Sequence, residues 1–152
     1  MSAVKEQLYP IAQDRTTAYR TWRREEAPGA LLVCDIDQVE YCIRNGEAVP
    51  CALLEVTGRS PDNAPWGDGF LASVWKRLDP DGGGAPGNTC WMQTQLLRKT
   101  ALALKVPAYI VCFDHDMKRL AVRQVAPASS SRWHTCSPAT YQRWLDSLRL
   151  GK

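Results

Sequence analysis

The chain has 152 residues, 45% of them hydrophobic and 23% charged, with a formal net charge of +3. That length suits one domain with a real core, and the composition excludes disorder over the whole chain. No stretch approaches the roughly 18 uncharged apolar residues of a membrane-spanning helix, and the mild positive charge permits a polyanionic partner without requiring one.

The first ten residues carry Lys5 and Glu6 without an apolar run, which is not the pattern of a secretory signal. Residues 10–26 read as a polar helix, with Ile11, Ala18 and Trp22 at helical spacing among Arg15, Arg20, Arg23 and Arg24. Pro28-Gly29 ends it. Residues 30–43 and 49–57 are strand-like runs, and the Asn45-Gly46 pair between them predicts a tight antiparallel hairpin. Residues 70–78 form a short helix, followed by a Gly-rich loop through Gly82-Gly83-Gly84. That loop has no Gly-Lys-Ser/Thr ending and no strand directly before it, so it does not read as a phosphate cradle. Asn88 or Thr89 caps a helix running to about residue 105, with Met92, Leu96, Leu97, Ala101 and Leu104 as its apolar face. Val106-Pro107 stops it. Strands follow at 108–113 and 118–125, with a turn at 114–117 between them. After a linker at 127–132, Ser137-Pro138 opens a last helix over 138–149 with a stripe of Tyr141, Trp144, Leu145 and Leu148.

The order predicts one α/β domain in which a central mixed β-sheet is flanked by helices, the helices between strands allowing a parallel crossover. Cys34, Cys42, Cys51 and Cys112 sit in apolar runs and no CxxC pair occurs, so the six cysteines predict a reduced, cytoplasmic protein.

Carboxylates on apolar strands are the informative feature. Asp35 and Asp37 lie two apart, on one side of a strand. Folding the hairpin at Asn45-Gly46 brings Asp37 near Leu54 or Glu55, and Asp35 near Val56 or Thr57. Carboxylates gathered on apolar strands repel one another and cost free energy unless a cation joins them. An oxygen-only set suits Mg²⁺ or Mn²⁺, which can activate water and neutralise phosphate charge. The competing reading is a solvated strand face.

Cys34-Asp35-Ile36-Asp37-Gln38-Val39-Glu40-Tyr41 followed by Ala52-Leu53-Leu54-Glu55-Val56-Thr57 resembles the PD-(D/E)XK nucleases, which include restriction enzymes and Holliday-junction resolvases. Their signature is a strand Asp, a hairpin, Glu-x-Lys on the next strand, and a helix carrying Gln or Lys. The likeness spans about residues 15 to 150. It implies a restriction-endonuclease-like core over about 15–126 plus the C-terminal helix, and Mg²⁺- or Mn²⁺-dependent hydrolysis of DNA phosphodiesters. Cutting both strands would call for a homodimer. Carried over, Asp37 and Glu55 bind the metal with Asp35 assisting, while Gln95 and Lys99, four apart on one helix face, orient water or phosphate.

Thr57 stands where the signature has Lys. Either Lys99 or Arg59 supplies the missing cation, or the protein binds nucleic acid or a protein partner without cutting. Lesser candidates are Glu25 or Glu26 as an acidic helper and the four N-terminal arginines as sequence-blind phosphate contacts. His115 reads as an exposed turn residue. Trp66 reads as a loop anchor, with stacking on a base as the alternative.

Overall fold

The computed structural model describes residues 36–82 and 90–150, which belong to one compact unit spanning Cys34–Lys152. The expected helix at 10–26, the strand segment 30–35, and with them Asp35, Glu25, Glu26 and the N-terminal arginines, lie outside the described residues.

The chain is α/β. Five strands, β1 (Gln38–Arg44), β2 (Glu47–Gly58), β3 (Ala108–Phe113), β4 (Leu120–Ala126) and β5 (His134–Cys136), form one mixed sheet in sequence order. β1 pairs antiparallel with β2, β2 parallel with β3, and β3–β4 and β4–β5 antiparallel. The β1–β2 turn has Asn45 at φ 53° and Gly46 at φ 81°, the two positive values a type I′ hairpin turn needs. Parallel pairing of β2 with β3 requires a crossover, supplied by α1 (Asp68–Leu78) and α2 (Cys90–Leu104). A third helix, α3 (Pro138–Leu150), starts where Ser137 Oγ accepts the Thr140 amide at 3.3 Å.

Alternation along β2 separates two cores. Leu53 faces α1 and α2 and packs with Leu71, Val74, Leu97 and Ile110. Ala52 and Leu54 face the other way, against Val111, Leu120 and the Tyr141–Trp144–Leu145–Leu148 stripe of α3. The paired strands β2 and β3 are covered on both sides, which is why they read as continuous apolar runs.

Three expectations need correction. β1 begins at Gln38 within the described residues, so Asp37 sits in a bend at the strand's entrance rather than inside a strand. The face that α2 buries runs through Thr94, Leu97 and Ala101, leaving Met92, Leu96 and Leu104 exposed. The helix is rotated from the expected stripe, with Thr94 on the buried line beside Leu97 and Ala101. Finally, β5 was hidden in what reads as the exit of a linker, three residues being too few to show a period.

Candidate functional site

Asp37 stands at the entrance of β1, next to the β2 segment that carries Glu55. The last strand pair there is Gln38 with Leu54, so Asp37 and Glu55 are the next two residues outward. The amides of Leu53, in β2, and of Arg59, just after it, are given to the carbonyls of Pro107 and Phe113, at 3.0 and 2.8 Å. Amides of the alternate parity therefore point to β1, which has ended before it reaches Val56. Asp37 fills that gap, its Oδ2 accepting the Val56 amide at 2.7 Å. An amide deprived of its strand partner is thus satisfied by a carboxylate, in a charge-assisted bond.

Glu55 and Thr57 share the side of β2 on which Leu53 packs against α1 and α2. Thr57 opens into a predominantly polar cavity of about 330 Å³, together with Asn63, Phe70, Ser73 and Arg77. Phe70, Ser73 and Arg77 lie on one face of α1, at positions i, i+3 and i+7. That spacing is the sequence signal that could have placed Arg77 beside Thr57. On its own it did not, because nothing local shows which strand α1 covers.

The expected site residues are placed differently. Arg59 does not reach toward the carboxylates. Its side chain is 8% exposed, and its Nε donates to Asp114 Oδ1 at 2.7 Å. Nη1 donates to the carbonyls of Ser60 and Ala64, at 3.2 and 3.3 Å, and Nη2 donates to His115 Nδ1 at 2.7 Å. Arg59 is therefore an anchor for the loop after β2. Gln95 gives its side-chain amide to the Pro80 carbonyl at 3.0 Å, tying α2 to the end of α1. Lys99 is exposed on α2.

Asp114, at the end of β3, is the centre of this arrangement and is fully buried. Its Oδ2 accepts from Arg119 at 2.6 Å and its Oδ1 accepts the His115 amide at 2.9 Å, besides the Arg59 bond. Burial alone pushes its carboxyl upward, but the Arg59, Arg119 and His115 hydrogen bonds outweigh this and hold it well below the usual carboxylate range. His115 is exposed as expected, although its ring is engaged by Arg59. Trp66 lies on Phe70 with ring centroids 5.9 Å apart and carries Arg119 over its ring at 5.7 Å, as a loop anchor would.

The carboxy ends of the parallel strands β2 and β3 thus carry Asp37, Glu55, Thr57, Arg77 and the Arg59–Asp114–Arg119 group. This is the end of a parallel pair at which α/β sheets build ligand sites. Among the described residues no three His, Cys, Asp or Glu gather into a metal-holding group, and Asp35 lies outside them. No described helix is long and apolar enough to cross a membrane. No family model, curated protein or solved structure matches the chain.

Proposed function

We propose that the protein is a metal-dependent nuclease with a restriction-endonuclease-like core, hydrolysing phosphodiester bonds in DNA. The observation that carries this reading is the register that leaves Asp37 and Glu55 as the next residues beyond the Gln38–Leu54 pair, on the same end of β2 as Thr57, which lines a polar cavity with Arg77. The chain order of hairpin, crossover helices and parallel strand supports it as well.

The donor chemistry fits Mg²⁺. This ion commonly takes one or two carboxylates and fills its other positions with water and substrate phosphate. Asp37 keeps Oδ1 after serving Val56, and Glu55 brings a second carboxylate. When bound, Mg²⁺ or Mn²⁺ would supply a Lewis acid that offsets phosphate charge. The chain's own residues do the rest. Asp37 is oriented by its bond to the β2 backbone, and Thr57 offers a hydroxyl to water. Arg77 brings positive charge to the cavity where the signature Lys would end, holding a phosphate oxygen by charge-assisted hydrogen bonds.

A second reading, binding without cleavage on the same fold, is favoured by the Thr57 substitution, since a hydroxyl cannot replace an ammonium's charge. One experiment separates the two: plasmid and branched DNA incubated with Mg²⁺ or Mn²⁺, beside Asp37→Asn and Glu55→Gln. Asn at 37 retains an oxygen for the Val56 amide, so folding is preserved while charge is lost. Cleavage by the wild type that falls ~100-fold or more in both variants is the expected result, given that even outer partners of a metal cost ~10–100-fold. A folded wild type that retards DNA and leaves every substrate intact establishes the second reading.

A further inference from the structure

We propose that Cys42 and Cys51 are a reversible thiol–disulfide pair, a modification site that staples the β1–β2 hairpin when the protein meets a small-molecule disulfide. The proposal is independent of the nuclease reading. The two sulfurs are 3.3 Å apart, the Cys51 thiol donating toward Cys42. A disulfide needs about 2.05 Å, so rotation of the two thiols must close roughly 1.3 Å.

The backbone explains why two residues nine apart meet so closely. Cys42 pairs with Val49, Tyr41 with Pro50 and Glu40 with Ala52, which leaves Cys51 as the extra residue of a β-bulge. Glu40 and Cys42 share a face of β1, so their partners Val49 and Ala52 share it too. The bulge is what lets consecutive residues Cys51 and Ala52 turn to that same side. Cys51 is further aimed by its contact with the Val49 carbonyl at 3.4 Å. Both cysteines are partly exposed and reduced, hence open to a dissolved reagent, whereas Cys112 is closed inside the core.

With glutathione disulfide as the oxidant, the electrons balance in two exchanges. One cysteine thiolate attacks a glutathione sulfur, forming a mixed disulfide and expelling one glutathione thiolate, which takes up the proton the cysteine lost. The second cysteine, as thiolate, attacks the protein sulfur of that mixed disulfide. The intrachain S–S bond forms and the second glutathione leaves, protonated in the same way. Two protein thiols are oxidised and one glutathione disulfide is reduced to two thiols. Proximity makes the second step effectively unimolecular, so the mixed disulfide is short-lived. Burial, then the Cys42 sulfur, push the Cys51 thiol up, so the exchange is best followed on the alkaline side of neutrality.

The test uses the full chain. Wild type, Cys42→Ser and Cys51→Ser are incubated with glutathione disulfide, remaining thiols are alkylated, and unreduced peptides are mapped by mass spectrometry. The expected result is a cross-linked peptide joining Cys42 to Cys51 in the wild type, about two mass units below the sum of the free peptides, and reversed by dithiothreitol. Each Ser variant instead accumulates a lasting glutathione adduct on its remaining cysteine. The proposal is overturned if wild-type Cys42 and Cys51 stay separately alkylated, if either retains a glutathione adduct, or if either bridges another cysteine. Cys42 lies on the outer strand, so its Ser variant keeps the test decisive even if the bulge rejects Ser at 51.

Discussion

Asp114 shows how a single carboxylate organises the loops at one end of the sheet. It holds Arg59 from the end of β2 and Arg119 from the turn before β4, so two connections share one anion. Its depressed carboxyl fixes the sign of the pH dependence. The ionised form is favoured by the fold, so this contribution is complete above the ordinary carboxylate value of 3.8. It is lost progressively as the pH falls below that value toward the lower folded one. Urea unfolding between pH 6 and about pH 2 should therefore show a steeper loss of stability for the wild type than for Asp114→Asn. At neutral pH the Asn variant should melt at a lower temperature, because Arg59 is left buried with its charge uncompensated. None of this was legible locally. Arg59 beside Glu55 and Thr57 reads as a cation free to reach the site. Its side-chain partners Asp114 and His115 are more than fifty residues downstream, joined to it only by the parallel register.

At the scale of elements, α2 gives the sharpest test. Leu97 is 1% exposed and its neighbour Leu96 is 43% exposed, although hydropathy alone counts them equally. Leu97→Ala should cost about 2–5 kcal/mol, and Leu96→Ala should stay within ~0.5 kcal/mol, both read by denaturant titration. Equal costs would mean that the helix presents the Met92–Leu96–Leu104 face after all. The elements themselves were well marked in the sequence. Asn45-Gly46 located the hairpin, Val106-Pro107 the end of α2, and Ser137-Pro138 the start of α3, because each of these signals acts through its own backbone. Which side of α2 turns inward depends on the sheet beneath, and the chain's own periodicity does not contain it. Gly58 is a similar case: a Cβ there would come within 2.5 Å of the Phe113 ring, a restriction imposed by the neighbouring strand.

At the scale of the whole molecule, the described residues cover the two faces of the sheet unequally. The α1–α2 side holds fully buried side chains such as Val74, Leu97 and Ala101, whereas no residue of α3 is fully buried. Tyr141, Trp144, Leu145 and Leu148 still grip the sheet, with Trp144 edge-on to Tyr109 at 4.9 Å. Native-state hydrogen exchange should therefore find α3 amides opening at lower free energy than those of β3. Trp144→Ala should widen that gap by loosening α3 alone. The α/β class and the hairpin could be read from spacing, but the joining of β2 to β3 could only be inferred from a helix between strands. That joint also orders the assembly of the chain in time. The β1–β2 and β3–β4 pairs each close over a short turn, while Leu53 must find Ala108 across the entire crossover. Two quickly formed hairpins meeting along one slow seam is the folding route this topology imposes, since loop-closure entropy is greatest at that single join.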